Sequence, residues 1–274
     1  MSLPSPRPSP PTTTTEPPPA RPMAAPRLAT ETPVKLVVFD MAGTTVDDMV
    51  DGQPVVAVAM QGAFVRFSGS RVPESSITSI RGLEKKDALR KLLVEQSGEG
   101  GEPPTDATVD ELYGLFEEEL ERCLPRIDKE IPGASDTFRA LQASGVGVCV
   151  GSGFPQKTVD TIVHTLGWTG AEEKLVDHAF SSVTLGHGRP HPAMVLAAME
   201  ATGVGDPKAV VKVGDTAVDV EEGKAAGCHT VAVLSGTQGR EKLEAAGPSL
   251  ILDSVADLPA ALGLAEAAEQ AGSL

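Results

Sequence analysis

Apolar positions along this chain change period twice. Residues 34–39, VKLVVF, form a short apolar run ending in an acid, the pattern of a buried parallel strand. From Gly52 to about Leu124 the period lengthens and no convincing strand is visible. There QPVVAVAMQGAFVRF, PESSITSI, KKDALRKLLVEQ and DATVDELYGLFEEELERCL all predict helices, and SGEGGEPPT predicts a loop between the last two. The last helix places Val109, Leu112, Leu115, Phe116 and Leu120 at helical spacing on one face. From IPGASDTFRALQASG onward helix and strand alternate. Helices at 135–144, 155–166, 191–201, 218–226 and 239–246 precede strands at 146–150, 178–182, 209–213, 229–233 and in SLILD, and a last helix begins near Val255.

Such alternation predicts an α/β fold, a parallel sheet with helices on both faces. The first strand is cut off from the rest by the helical block, so that block is expected as an inserted lid beside the sheet's carboxyl edge, where such sheets bind ligands. The expected boundaries are a core of 34–48 and 131–274 and a helical cap of 49–130. Residues 1–33 form a Pro/Ser/Thr tract whose composition predicts a disordered tail. Met23 offers an alternative start, since MAAPRLATETPVKLVVFD leads straight into the first strand.

Charge narrows the function. With 23 basic against 38 acidic residues, net −15, the chain is a poor match for nucleic acid or an anionic membrane. A small anionic substrate stays open, because one metal and one Arg reverse the sign locally. No apolar run approaches the ~18 residues of a membrane span. Three scattered cysteines, Cys123, Cys149 and Cys228, without a CxxC, fit a reducing cytoplasmic compartment.

The polar residues at the strand ends carry the candidate chemistry. Asp40 ends the first strand, Ser152 follows the second, Arg189 opens the helix after the third, and Asp215 and Asp219 follow the fourth. Singly, each has an ordinary explanation as a helix cap, a turn residue or an acidic first turn. Together they sit at successive strand ends and would project from one edge. His187 and His191 in GHGRPHP, with no Cys nearby, read as surface or substrate-rim residues before a zinc site. Trp168 reads as core packing and EEELER as a solvated face.

DMAGTT, SGF, GRPHP and GDTAVD, in that order, resemble the haloacid dehalogenase superfamily of phosphotransfer enzymes. Arg189 in place of the usual Lys, with DMAGTT, resembles its phosphonatase branch, the phosphonoacetaldehyde hydrolases and their relatives. The resemblance covers residues 34–260 and implies a Rossmann-like core with an inserted α-helical cap. It also implies roles. Asp40 would be the nucleophile, forming an aspartyl-phosphate. Asp40, the Ala42 carbonyl and Asp215 would bind Mg²⁺, and Asp219 would order the metal's waters. Ser152, Gly153, Arg189 and the backbone N–H groups of the Gly43–Thr44 turn would hold phosphoryl oxygens. The partner would be a small phosphorylated or phosphonate substrate, and relatives suggest a homodimer through the cap.

Ester-cleaving members carry a second Asp two residues after the first, to protonate the leaving alkoxide. Here that position is Ala42. Loss of a general acid costs ~10²–10⁴-fold in an ester hydrolase. In phosphonatases the leaving group is carbon, and a cap lysine instead forms a Schiff base that accepts the electrons of the C–P bond. The pattern places that lysine three residues after Gly82, at Lys85, where Arg81, Lys86 and Arg90 would depress its pKa. The alternative is a plain cation, as in sugar-phosphate mutases with a similar lid. Two positions depart from the phosphonatase pattern: Ala88 where a His is expected, and Val50 where a Cys is expected. A phosphatase or phosphomutase acting on an ester is the alternative activity, and a non-catalytic binding protein the alternative class.

Overall fold

The computed structural model of the chain describes residues 26–80, 83–98 and 102–264. Strand β1 (Leu36–Asp40) leads to a short hairpin, β2 (Met49–Val50) and β3 (Gln53–Pro54). Four helices follow: α1 (Val55–Ser68), α2 (Glu74–Ser79), α3 (Lys85–Ser97) and α4 (Asp106–Cys123). The chain then alternates through α5 (Ala134–Ala143), β4 (Gly147–Ser152), α6 (Gln156–Thr165), β5 (His178–Ser181), α7 (Ser182–Leu185) and α8 (Ala193–Thr202). It ends with β6 (Val210–Gly214), α9 (Ala217–Ala225), β7 (His229–Val233), α10 (Arg240–Ala246), β8 (Leu250–Leu252) and α11 (Leu258–Ala261).

Six strands form one parallel sheet in the order β5-β4-β1-β6-β7-β8. β1 lies between β4 and β6, so the chain leaves β1 toward one edge and later returns on its other side. That reversal opens a crevice at the carboxyl ends of β1, β4 and β6. Successive β1 side chains face opposite sides. Val37 and Phe39 join the large apolar cluster that includes Phe138, whereas Leu36 and Val38 meet Val195 and Ala198 of α8. Phe39, Phe138 and Trp168 stack edge to face with centroids 5.1 Å apart at each step, fixing the end of β1 beside Asp40. Trp168 is fully buried, as expected for core packing, and its Nε1–H donates to Glu130 and Ser135 at 3.2 Å.

The inserted helices are held by burial. α1 packs along α4, with Phe64, Leu112, Phe116 and Leu120 at most 1% exposed. Each such side chain contributes roughly 1.5–3 kcal/mol of apolar transfer. Thr105 caps α4, accepting from Thr108 N–H at 3.2 Å, and Glu84 caps α3, accepting from Asp87 N–H at 3.1 Å. The insertion and the sheet share one continuous apolar cluster.

Two expectations change. The stretch from Gly52 is not strand-free: β2 and β3 pair antiparallel across Asp51-Gly52, both at positive φ (52° and 75°). An Asp-Gly turn favours such a hairpin. The expected 1–33 tail is shorter among the described residues, because Leu28 is buried and its N–H donates to Ala261 O at 3.0 Å. Residues 1–25, Arg81 and Gly82 lie outside the described residues.

Candidate active site

A cavity of about 30 Å³ lies between the sheet's carboxyl edge and the inserted helices. The edge supplies Asp40, Ala42, Ser152, Arg189, Asp215 and Thr216; the helices supply Val56, Met60, Ile80, Lys85 and Ala88, and Phe154 closes one side. Its size is that of a single water. Asp40, Lys85, Ser152, Arg189, Asp215 and Asp219 are all buried, at 8% exposure or less. Asp219 stands behind Arg189 and does not line the cavity.

Arg189 organises the charges. Its Nη1 donates to Asp40 Oδ1 at 2.6 Å and to Asp219 Oδ1 at 2.5 Å. It sits in the loop between α7 and α8, four residues before α8, rather than opening that helix. Asp219 caps α9 reciprocally with Thr216, and its Oδ2 accepts from the Thr216 N–H at 3.2 Å and from the Thr216 hydroxyl. Asp215 accepts from Thr44 Oγ1 at 3.3 Å on one oxygen, and from Thr237 N–H at 2.9 Å and Thr237 Oγ1 at 3.1 Å on the other. Burial pushes Asp40 up to about 6; Asp219 and Asp215 add to the rise, and Arg189 and Lys212 oppose it. Burial also pushes Asp219 up, but Arg189 and Lys212 outweigh it and hold the group down at about 2.

The carboxylates of Asp40, Asp215 and Asp219 each offer an oxygen within 4.8 Å of the others. This all-oxygen, anionic set could hold a divalent cation of the Mg²⁺ type. Burial is the main cause of the rise in Asp40; Asp219 and Asp215 add to it by repulsion, and a cation there would relieve that part. Glycine completes the cradle. A Cβ at Gly43, whose φ is +80°, would lie 2.9 Å from Asp215 Oδ2, and one at Gly236 would lie 2.0 Å from it.

Lys85 opens α3 and reaches the cavity from the opposite wall. A Cβ on Gly153 would lie 3.5 Å from Lys85 Nζ and 3.9 Å from Arg189 Nη2, so the two cations flank that glycine. The Lys85 ammonium stands 5.6 Å from the Phe154 ring centroid. Two of the expected cationic neighbours, Lys86 and Arg90, face elsewhere, and the third, Arg81, lies outside the described residues. Lys86 Nζ donates to Asp110 at 2.7 Å and Arg90 Nη2 to Asp106 at 2.6 Å, both on α4. Ser152 Oγ accepts from Phe154 N–H at 3.3 Å, which leaves its own proton to donate.

The N–H groups of Gly43 and Thr44 donate within their own turn, to Val46 O at 3.0 Å and Met41 O at 3.1 Å. Thr44 supports Asp215 through its hydroxyl. The sequence reading missed Ser235 and Thr237. Ser235 Oγ donates to Gly43 O at 2.9 Å, and Thr237 holds Asp215. Their signal was present: Ser-Gly-Thr follows β7 at the same sheet edge. His187 and His191 are exposed and stack with centroids 4.2 Å apart; among the described residues they belong to no group of metal-ligating side chains. The cavity's closeness depends on Gly188, where a Cβ would fall 2.3 Å from Glu84 Cβ.

Residues 34–227 match the model of the haloacid dehalogenase-like hydrolases. The chain is 32% identical over 272 residues to the phosphonoacetaldehyde hydrolase of Bordetella pertussis, covering 88% of this chain and 96% of that protein. It is 31% identical over 209 residues to a bifunctional phosphonoacetaldehyde hydrolase/aminoethylphosphonate transaminase of Clostridioides difficile, spanning 74% of this chain but 32% of that longer protein. Its fold matches a phosphonoacetaldehyde hydrolase-like protein from Oleispira antarctica, with a TM-score of 0.72 at 24% identity, covering 85% of this chain and 93% of that one. A Rossmann-like parallel sheet, an acidic triad at its carboxyl edge and these likenesses agree: the chain belongs to the haloacid dehalogenase-like hydrolases, on their phosphonatase-like branch.

Proposed function

We propose that this hydrolase cleaves the C–P bond of a small phosphonate bearing an aldehyde or ketone, through an aspartyl-phosphate at Asp40 and an imine at Lys85. The carrying observation is that a primary amine shares the nucleophile's cavity while Ala42 supplies no acid. Among the described residues, the titratable side chains lining the cavity are Asp40, Lys85, Arg189 and Asp215. The relatives' name makes phosphonoacetaldehyde the first substrate to try.

In this reading, Arg189 and the Ser152 hydroxyl bind the phosphonate oxygens, and Gly153 leaves room beside them. The Lys85 amine attacks the carbonyl, and loss of water gives an iminium. An Asp40 oxygen attacks phosphorus as the C–P bond breaks; its electron pair passes into the iminium and leaves an enamine on Lys85. Protonation at carbon and hydrolysis return the amine and release the carbonyl product. Water then cleaves the aspartyl-phosphate and releases phosphate. Asp40, Asp215 and the Ala42 carbonyl would hold Mg²⁺, with Asp219 behind them; when bound, it offsets the charge of the phosphoryl group. A cavity the size of one water requires the helices to open for substrate entry. Three buried free thiols fit the cytoplasm as its location.

A second reading follows from the apolar wall. Dehydration to an imine needs proton transfer, and Ala88 brings none to the cavity. Lys85 would then be a plain cation in an ester phosphatase or mutase. Borohydride with a 2-oxoalkyl phosphonate separates the two. The imine reading predicts a reduced adduct mapped to Lys85 and loss of phosphate release. Unmodified Lys85, with esters turned over faster than any phosphonate, would establish the second reading instead.

A further inference from the structure

Five buried side chains of alternating charge run from beneath the sheet's edge into the cavity. Glu222 Oε2 lies 3.0 Å from Lys212 Nζ, which lies 3.3 Å from Asp219 Oδ1. That same Asp219 oxygen accepts from Arg189 Nη1 at 2.5 Å, and Arg189 Nη1 reaches Asp40 at 2.6 Å. Lys212 and Glu222 do not line the cavity and have no part in the steps above. Their side chains are 1% and 0% exposed. Glycines admit them: a Cβ at Gly223 would meet Lys212 Cβ at 2.9 Å, and one at Gly214 would meet Asp219 Cβ at 2.3 Å.

A buried ion pair gives little stability over well-packed apolar residues of similar volume, so stability alone does not explain this one. Its placement does. Lys212 and Arg189 share one oxygen of Asp219. The ammonium competes by charge for that oxygen, while Arg189 Nη1 is shared between Asp219 at 2.5 Å and Asp40 at 2.6 Å. Glu222 holds Lys212 from the other side. Neither Glu222 oxygen nor the Lys212 ammonium makes a hydrogen bond of good geometry, so the ammonium is held by charge between Glu222 at 3.0 Å and Asp219 at 3.3 Å. We propose that Lys212, set by Glu222, is a positioning residue that fixes Arg189 between Asp219 and Asp40, and so sets the affinity of the site for a phosphoryl group.

This inference rests on Arg189 binding the phosphoryl group. The test measures inorganic phosphate affinity by calorimetry, with Mg²⁺ present, alongside the urea midpoint and kcat and KM for phosphate release. Lys212→Met strands the Glu222 charge and lowers the urea midpoint. The charge-balanced double variant Lys212→Met/Glu222→Gln restores the midpoint but binds phosphate roughly tenfold more weakly, with kcat falling by a similar factor. Glu222→Gln alone, which keeps the ammonium, weakens phosphate less than the double variant does. A folded double variant with wild-type phosphate affinity, or Glu222→Gln weakening phosphate as much as the double variant, would overturn the proposal. Failure of the wild type to release phosphate from any phosphonate or ester would instead overturn the catalytic reading, and the calorimetric result would stand apart from it.

Discussion

The two walls of the cavity differ in kind. The sheet's edge presents Asp40, Ser152, Arg189, Asp215 and Thr216, while the inserted helices present Val56, Met60, Ile80 and Ala88 around one amine, Lys85. The charged wall has what a phosphoryl group needs: a buried carboxylate, a guanidinium and a hydroxyl able to donate. The apolar wall offers no carboxylic acid to protonate an alkoxide, only the amine of Lys85. The leaving group is therefore handled by a single amine or by nothing in the lining. The division also explains why the fold is split in two, since parallel strands gather polar ends at one edge while helices present a continuous apolar face.

Substitution at the nucleophile breaks the charged wall most completely. Asp40→Asn lowers phosphate release by at least roughly 10⁴-fold, measured as initial rates, while the circular dichroism spectrum stays native. Next comes the apolar wall's one functional group. Lys85→Arg keeps a cation but not a nucleophilic amine, and it lowers phosphonate cleavage by about 10³-fold or more. If the lysine served only as a charge, this variant would retain most of its turnover. Ser152→Ala removes a hydrogen bond to a charged oxygen and costs about 10- to 100-fold in kcat/KM. Gly188→Val acts where the walls meet. Its side chain occupies the place of Glu84 and keeps α3 from seating, so KM rises by roughly tenfold and the urea midpoint falls with it. Away from the cavity, Phe116→Ala empties the α1–α4 contact and lowers stability by about 3–5 kcal/mol in urea titration.

The charged wall was more legible in the sequence than its supports. Asp40, Ser152, Asp215 and Asp219 each lie at or within six residues of a strand end, so placing the strands placed the residues. Lys85 was found through a local pattern, but the partners of Lys86 and Arg90 on α4 are 24 and 16 residues away and were not readable. The turn hydrogen bonds of the Gly43 and Thr44 N–H groups are a geometric fact that composition does not carry. Thr237 grips Asp215 across 22 residues, from a Ser-Gly-Thr stretch that looks like any turn. Lys212 sits inside AVVKV, where one charge in an apolar strand reads as an edge residue until Glu222 and Asp219 are seen on either side of it. The Asp51-Gly52 hairpin was hidden by the apolar run of α1 that follows it.

The central claim is that the two walls together make a C–P hydrolase, and one ratio tests it most directly. Wild-type chain with Mg²⁺ is given phosphonoacetaldehyde or a small phosphate ester at equal concentration, and phosphate release is compared with and without EDTA. The account predicts phosphonate turnover at least roughly 10²-fold faster than ester turnover, abolished by EDTA, because the cavity holds an amine and no acid at position 42. Ester turnover equal to or faster than phosphonate turnover, or phosphonate cleavage undiminished by the chelator, would contradict it.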